Sequence, residues 1–308
     1  MRKEEFYYDS YSKTNKIYAT KWVPEGTPLC IVQIVHGMAE HMGRYEEFAA
    51  FLTERNILVV GEDHLGHGLS MGENPPGYYC EKNPGKALVE DVHTLKNIVR
   101  AEYPDIPHIL FGHSMGSFIA RNFVHTYHKE VDGVILSGTG MLPKALLQVL
   151  CIILKITTAV RGPRYISPFI NKLAFGGYLK GIENPKTESD WLTTDEAQVQ
   201  MFLEDPLCGF SLTLNGFKGM AELIRGLYDR EKIARIDKEF PMYFIFGEKD
   251  PVGDFGKTAY KSYKMYSDAG MKKVSNKAYP GKRHELLHED IREKVMQDVF
   301  EWIGKVIK

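Results

Sequence analysis

The chain has 308 residues, of which 44% are hydrophobic, and its 39 basic and 40 acidic residues leave a formal net charge of −1. This length is enough for one large core and an insertion, and the composition is that of an ordinary soluble protein. The near-zero charge and the lack of a basic stripe with interleaved aromatic residues argue against a nucleic-acid partner.

Residues 1–5 are charged and no apolar core follows them. A secretory signal is therefore not predicted, and the cytoplasm is the expected location. The four cysteines have no paired spacing, so we expect buried thiols in a reducing compartment. They are Cys30, Cys80, Cys151 and Cys208.

Strand-like and helix-like runs alternate along the chain. Apolar and β-branched runs predict strands at residues 6–11, 16–22, 31–35, 57–60, 109–111, 134–136, 242–246 and 274–279. Helices are predicted at residues 45–55, 84–102, 117–120 and 290–306. This alternation is typical of an α/β fold with a sheet between helices.

The loop after the strand at 31–35 contains Gly37 and Met38. A glycine at this position lets the main chain approach a substrate carbonyl closely, and a side chain there would obstruct it. The backbone amide of Met38 is therefore a candidate donor to an oxyanion. Because the donor is an amide, the side chain at position 38 is free to vary.

A second loop, residues 63–68, contains His64 and His67, two imidazoles of the type that bind metal ions. The loop has two glycines but no cysteine and no further cluster of carboxylates. A hydrogen-bonded structural turn is therefore favoured over a metal site.

The most informative motif is Gly112-His113-Ser114-Met115-Gly116, between the strand at 109–111 and the helix at 117–120. G-x-S-x-G between a strand and a helix is a nucleophile elbow, in which the serine takes a strained conformation. The glycines two residues to either side let strand and helix pack closely. The strain lifts the Ser114 hydroxyl clear of the sheet and aims the Met115 amide at a developing oxyanion.

The regular alternation lapses between residues 140 and 227. We expect a helical cap at 141–226, inserted into a core formed by 1–140 and 227–308. Its apolar stretch at 145–154 is too short for a bilayer, which needs about 20 residues. Two interpretations remain open: a helix that packs on the core and lines the pocket, or a lid surface that rests on lipid interfaces. Candidate substrate-lining residues in this region are Leu147, Leu150, Ile153, Leu207 and Phe210.

A serine nucleophile needs a base within hydrogen-bond reach, and a carboxylate orients that base. Asp250, after the strand at 242–246, is the candidate acid, and His284, at the head of the last helix, is the candidate base. His284 also opens an H-E-x-x-H pattern that ends at His288, which binds zinc when both histidines share a helix face. Pro280-Gly281 precedes the pattern and places His284 in a loop or first turn, so no metal site is predicted.

Several of these segments resemble the α/β-hydrolase superfamily, in its monoacylglycerol lipase, lysophospholipase and serine-aminopeptidase-like branch. The matching segments are 36–41 with 44–45, 63–68, 112–116, 247–251, and 279–281 with 284–285. The resemblance implies an α/β-hydrolase fold with a mostly parallel sheet, flanking helices and an inserted helical cap. It also implies Ser114 as nucleophile and Asp250 and His284 as its relay partners.

The same resemblance implies the amides of Met38 and Met115 as oxyanion donors. One departure is Ala39, where the family more often has glycine. Because alanine is small, we expect a narrower loop and retained function.

We expect a serine hydrolase that cleaves carboxylic esters through an acyl-enzyme, without a cofactor. An apolar cap suits an acyl chain better than a peptide, which favours a monoacylglycerol or a similar lipid ester, with transient contact between cap and membrane surface. A small-ester carboxylesterase, a peptidase, an acyltransferase and a non-catalytic binding protein remain alternatives. Haloalkane and epoxide hydrolases are disfavoured because those relatives carry aspartate at the elbow.

Overall fold

An eight-stranded sheet forms the centre of the molecule, which a computed structural model describes over residues 1–308. Its strands are β1 (Arg2–Asp9), β2 (Lys16–Val23), β3 (Cys30–Val35), β4 (Ile57–Glu62), β5 (His108–His113), β6 (Gly133–Ser137), β7 (Met242–Gly247) and β8 (Val274–Tyr279). The strand order is β1-β2-β4-β3-β5-β6-β7-β8. Only β2 runs against the others, which confirms the predicted mostly parallel sheet.

The central parallel strands are covered on both faces. Every residue of β3, β4, β5, β6 and β7 is buried. Helical crossovers cover both faces of parallel strands, so such strands consist of continuous apolar runs. At the sheet edge, β8 is buried only at Tyr279. These strands end at one edge of the sheet, and the candidate catalytic residues follow them there.

Ten α-helices surround the sheet. They are α1 (Glu46–Thr53), α2 (Pro84–Glu102), α3 (Met115–Tyr127), α4 (Lys144–Arg161), α5 (Pro168–Phe175), α6 (Glu196–Glu204), α7 (Leu214–Gly226), α8 (Arg230–Arg235), α9 (Lys257–Asp268) and α10 (Arg292–Val306). On one face, α2, α3 and α9 contribute Leu88, Phe123 and Tyr266 to a large apolar core. On the other face, α1 and α10 contribute Phe48 and Trp302 to a second core.

Helices α4 to α8 lie in the connection between β6 and β7, and they include the inserted helical cap. Leu214 and Phe217 of α7 belong to the same apolar core as Leu88 of α2, so α7 joins the cap to the hydrolase core. The apolar stretch predicted at 145–154 is part of α4, which is 18 residues long. None of the helices has both the length and the apolarity needed to cross a membrane. The boundaries of the cap, 141–226, stay a prediction.

Two predicted positions differ from the structure. The first strand spans Arg2–Asp9 and not 6–11, because it pairs antiparallel with β2 along its whole length before the chain turns. His284 does not begin the last helix. It lies in a loop, as Pro280-Gly281 predicts, and α10 begins only at Arg292, after a separate 3₁₀ turn at Leu286–His288.

The cysteines are all unpaired, but only two of them are buried. Cys30 and Cys80 are buried, whereas Cys151 and Cys208 are half-buried. The expectation of four buried thiols is therefore wrong for Cys151 and Cys208, because both lie in the cap, whose elements face solvent on one side.

Candidate active site

Ser114 lies at the sharp turn between β5 and α3. Its backbone dihedral angles are φ 51° and ψ −118°, a conformation that residues other than glycine rarely adopt. The Ser114 N–H donates to the Ser137 carbonyl at 2.9 Å, which holds the turn against the end of β6. Glycine is required at position 116 because a Cβ there would lie 1.8 Å from the Val35 carbonyl oxygen. The local sequence thus builds a nucleophile elbow.

Asp250 and His284 meet at the ends of β7 and β8. Asp250 Oδ2 lies 2.9 Å from His284 Nδ1, and Asp250 Oδ1 accepts from the Val252 N–H at 2.9 Å. Both side chains are buried. A carboxylate bonded to Nδ1 fixes the imidazole tautomer and leaves Nε2 to act as an acceptor, which a general base requires.

The surroundings of His284 favour its protonated form. Burial disfavours the imidazolium, but the charge of Asp250 and its hydrogen bond outweigh burial, so the pKa of His284 lies above its ordinary value. The neighbouring His113 behaves in the opposite way, because burial and the charge of His284 lower the pKa of His113 to about 4. Near neutral pH, His113 therefore packs as an uncharged ring beside a stronger base.

Aromatic rings enclose the imidazole of His284. The His113 ring centroid lies 4.8 Å from that of His284, and the Trp191 ring centroid lies 5.1 Å away on the cap side. Tyr178 packs edge-on against Trp191 at 4.7 Å. A Cβ at Gly138 would lie 2.9 Å from His284 Cε1, so the main chain also closes against the ring. Trp191 and Tyr178 were not predicted, because they lie in an irregular cap segment without a motif.

The two candidate oxyanion donors belong to the turn at Ser114 and to the loop that approaches it. Met115 is the first residue of α3, so its N–H has no intrahelical acceptor. The Met38 N–H takes part in none of the turn or loop hydrogen bonds. A Cβ at Gly37 would lie 3.3 Å from Ser114 Cβ, which shows how closely this loop approaches the elbow. Two free amides beside one serine are the arrangement that an oxyanion needs.

Ala39 adopts the left-handed conformation, with φ 55°. This conformation favours glycine, so the alanine at this position is strained. The Ala39 carbonyl accepts from the Gly209 N–H of the cap at 2.9 Å. A cap contact therefore holds the strained loop beside Met38.

The five predicted substrate-lining residues occupy different environments. Leu147 is buried in the large apolar core, and Leu150, Ile153 and Phe210 pack against that core. Leu207 is half-buried in the loop after α6. A cavity of about 530 Å³ opens between α4 and α7, but none of the five residues lines it and Ser114 does not reach it. The chemistry of the triad, and not this cavity, therefore locates the candidate site.

The side chains of the H-E-x-x-H segment bind separate partners. His284 Nδ1 bonds to Asp250, while His288 Nε2 lies 3.2 Å from the Arg44 carbonyl oxygen. The segment is a loop and a 3₁₀ turn, so the two imidazoles do not share a helix face. This geometry does not fit a helical zinc site.

The histidines of the loop at 63–68 are also held by protein atoms. His36 Nε2 accepts from the His64 N–H at 3.0 Å, and His67 Nδ1 lies 3.0 Å from the Leu65 carbonyl oxygen. Burial lowers the pKa of His67 to about 3. The His36 ring, whose pKa is also lowered by burial, and the His67 ring therefore pack as neutral rings.

One further group brings metal-binding atom types together, with His41, Asp205 and Cys208 within 4.8 Å of one another. His41 Nδ1 accepts from the Gly43 N–H at 3.1 Å, so the ring proton lies on Nε2, which donates to Asp205 Oδ2 at 2.8 Å. A metal-bound histidine donates its second ring N–H instead of accepting there. The group therefore fits a hydrogen-bonded link between the oxyanion loop and the cap better than a metal centre.

Comparison with known proteins agrees with this geometry. The family model described as serine aminopeptidase, S33 (Hydrolase_4) matches residues 26–291. A monoacylglycerol lipase of Mycolicibacterium smegmatis is 28% identical over 287 residues, which cover 92% of this chain and 90% of that protein. A human monoglyceride lipase is 25% identical, with 94% and 87% of the two chains covered.

Solved structures give the same result. A thermostable carboxyl esterase from Bacillus coagulans, in complex with glycerol, superposes with a TM-score of 0.93 at 30% identity, and 100% of each chain is covered. A soluble variant of monoglyceride lipase from Saccharomyces cerevisiae has a TM-score of 0.77 at 20% identity, with 99% and 96% covered. The resemblance drawn from the motifs is thereby confirmed: the chain belongs to the serine aminopeptidase S33 family and has the α/β-hydrolase fold.

Proposed function

We propose that this protein is a serine carboxylic-ester hydrolase of the monoacylglycerol lipase type. In the first half of the reaction, His284 Nε2 takes the Ser114 proton as the hydroxyl attacks the ester carbonyl. The Met38 and Met115 amides hold the oxyanion of the tetrahedral intermediate. His284 then gives its proton to the departing alcohol, and an acyl-Ser114 enzyme remains.

Water completes the cycle in the second half. His284 takes a proton from water, the resulting hydroxide attacks the acyl-enzyme, and the same two amides hold the second oxyanion. Transfer of the proton to Ser114 releases the carboxylic acid. Asp250 keeps the imidazole oriented throughout and stabilises the imidazolium.

The observation that carries this proposal is the Asp250–His284 hydrogen bond of 2.9 Å beside a serine at φ 51°. A protein that only bound a ligand would need neither the base nor the strained elbow. The monoacylglycerol lipases and the carboxyl esterase among its relatives favour an ester over a peptide substrate. Apolar residues on the inner face of α4 suit an acyl chain.

Hydrolysis assays test the proposal directly. We expect the wild type to cleave monoacylglycerols and p-nitrophenyl esters of medium or long chains, and Ser114→Ala to lose this activity. Activity should persist in a chelator, since no step uses a metal ion. Unchanged esterase activity in Ser114→Ala would refute the assignment of the nucleophile, and activity on acetate alone would indicate a small-ester enzyme.

The outer face of α4 supports the further proposal that the cap contacts lipid surfaces. Ile152, Ile156 and Val160 are 60%, 61% and 75% exposed, and Leu146 and Val149 extend the same stripe. The spacing of three and four residues places all five side chains on one side of the helix. An exposed apolar stripe on an amphipathic helix is suited to the interface of a membrane or micelle.

A further inference from the structure

A buried carboxylate holds the loop that carries the Met38 amide. Glu40 is 2% exposed, and its Oε1 accepts from the Gly37 N–H at 2.5 Å and from the Tyr45 hydroxyl at 2.9 Å. Gly37 is directly before Met38, so the position of this carboxylate sets the direction of the peptide that precedes the oxyanion donor.

Arg44 extends this contact to another part of the chain. Its Nη1 lies 2.7 Å from Glu40 Oε2 and 2.7 Å from Glu285 Oε1, while its Nη2 lies 2.7 Å from Glu285 Oε2. The pair with Glu285 is a two-pronged bond of the kind that only a guanidinium forms. The Phe202 ring of the cap covers the Arg44 guanidinium at 4.9 Å.

Glu285 is the residue after His284, and its own backbone is also held. The Glu285 N–H donates to the Leu192 carbonyl at 2.7 Å. Burial disfavours ionisation of Glu285, but the Arg44 guanidinium outweighs burial and lowers the pKa of that carboxyl. Glu285 is therefore a carboxylate next to the candidate base in the chain, with both its backbone N–H and its side chain held by hydrogen bonds.

The side chains of Glu40, Arg44 and Glu285 join two loops that follow distant strands. The oxyanion loop follows β3 and the histidine loop follows β8, and three strands, β5, β6 and β7, lie between them in the sheet. Stability alone is a poor reason for this arrangement, because replacing a buried ion triad with apolar side chains is often neutral or stabilising. Its geometric effect is specific, since it fixes the distance between the two loops.

We propose that Arg44 is a positioning residue that acts through Glu40 and Glu285 to hold the oxyanion loop and the histidine loop at a fixed position relative to each other. This inference rests on the proposed function, in which both loops act on the same tetrahedral intermediate. Without the two-pronged bond between Arg44 and Glu285, each loop stays folded, but the Met38 amide and the His284 imidazole change position relative to each other. A misplacement of about 1 Å in such a site costs on the order of 100-fold in rate.

Two substitutions test this role while conserving charge. Arg44→Lys keeps the cation but loses the planar fork, and Glu285→Asp keeps the carboxylate but shortens its reach. Both leave the buried charges paired, so the protein should still fold. We expect each to lower kcat/KM for a p-nitrophenyl ester by about 10- to 100-fold through kcat, with KM nearly unchanged. The affinity for a trifluoromethyl ketone, a tetrahedral transition-state analogue, should fall by the same factor.

A matched control separates positioning from loss of stability. Arg121 on α3 is fully buried, and the Arg44 side chain is 9% exposed, but Arg121 bonds to Tyr266 and to the Gly140 carbonyl. Arg121→Lys should lower the melting temperature and leave kcat/KM unchanged. If Arg44→Lys behaves in the same way, with a lower melting temperature and kcat/KM within twofold of wild type, the inference is wrong. It is also wrong if kcat/KM falls while the affinity for the ketone is unchanged.

A spectroscopic measurement keeps this test independent of the proposed reaction. The proton between His284 Nδ1 and Asp250 should give a low-field resonance in the proton NMR spectrum, and Arg44→Lys should shift or broaden it. If the wild type cleaves no ester, the proposed function fails, and this resonance alone then tests whether Arg44 positions His284. An unchanged signal in Arg44→Lys would overturn the positioning role, and a shifted signal would support it.

Discussion

At residue scale, the backbone of Ser114 is strained. Residues with side chains that are held in such sparsely populated conformations cost about 1–3 kcal/mol each, and they concentrate at functional sites. The neighbouring glycines, the Ser137 carbonyl and the packing of α3 on β5 hold the serine in place. A substitution that relieves the backbone strain at position 114 should therefore change the free energy of unfolding measurably.

We therefore expect Ser114→Gly to be more stable than Ser114→Ala by about 1 kcal/mol, because glycine adopts this conformation without strain but has more entropy in the unfolded state. Both variants should be inactive. Urea unfolding of the two proteins measures the difference. Equal stability, or a less stable glycine variant, would show that the elbow is not strained.

Asp250 determines both the orientation and the basicity of His284. We expect Asp250→Asn to lower kcat/KM for an ester by about 10³- to 10⁴-fold. The pKa of His284 should also fall, because burial is then opposed only by the smaller effects of the Glu285 and Glu40 charges. Since activity requires the neutral imidazole, the acid limb of the pH profile of the residual activity should move to lower pH.

Asp298→Asn is the control for this variant. Asp298 lies on α10 and accepts from Lys277 and from the Tyr279 hydroxyl, away from Ser114. Its substitution should leave the activity and the pH profile unchanged. An Asp250→Asn enzyme with the wild-type acid limb would rule out the electrostatic role of Asp250.

At the scale of elements, α4 presents two apolar faces. Its inner face, with Leu147 and Leu154, is buried in the large core, while its outer face carries the exposed stripe. The inner face packs on the core as the first interpretation of the stretch at 145–154 predicts, while pocket lining and the lipid contact of the second interpretation stay predictions. The exposed apolar side of such a helix is of the kind that contacts another surface, which is the basis of the lipid-surface proposal.

We expect wild-type protein to co-sediment with phosphatidylcholine vesicles, and Ile152→Asp with Ile156→Asp to weaken this binding on the order of tenfold or more. The double variant should keep its activity on a water-soluble ester, because both side chains point away from the core. Tyr260→Asp, at a half-exposed apolar position on α9, is the matched control and should bind like wild type. Equal vesicle binding by all three proteins would refute the lipid-surface proposal.

At the scale of the whole molecule, a buried carboxyl links the N-terminal hairpin to α2. Asp91 accepts from the Ser10 hydroxyl at 2.9 Å and from the Tyr11 N–H at 2.6 Å. Burial, with a smaller effect from the charge of Glu62, raises the pKa of Asp91 from 3.8 to about 8. The native state thus retains a proton that the unfolded chain releases at lower pH.

The sign of the pH dependence follows from this shift. A group whose pKa rises on folding contributes its full stability below its unfolded pKa of 3.8, and this contribution is lost as the pH rises through about 8. Each unit of pKa difference corresponds to about 1.4 kcal/mol. We expect the free energy of unfolding to decline between these pH values in the wild type.

The free energy of unfolding of Asp91→Asn should decline less over the same range, because asparagine does not titrate. The protein should still fold, because the amide keeps an acceptor for Tyr11 and donates to the Ser10 hydroxyl. Asp268→Asn, at an exposed position on α9, should retain the wild-type slope. Urea unfolding at a series of pH values gives the comparison. Parallel slopes for wild type and Asp91→Asn would exclude Asp91 as the titrating group.

Much of the candidate site could be predicted because its geometry is local. The conformation of Ser114 follows from glycines two residues away, and Asp250 and His284 each follow a buried or edge strand at a short distance along the chain. Parallel strands end at the same edge of a sheet, so the order of motifs predicts that their loops meet. The loop that Pro280-Gly281 predicts around His284 is confirmed, whereas its position at the head of the last helix is wrong, because α10 begins only at Arg292.

The sequence by itself determined the α/β class, the elbow, and the order of serine, acid and histidine, because each depends on spacing over a few residues. Only the tertiary structure decided that Trp191 packs on His284 and that Arg44 bonds to Glu285. Arg44 and Glu285 are 241 residues apart in the chain, and no local pattern encodes such a pair. Their contact exists because the assembled sheet brings the loops after β3 and β8 together, with the cap across both.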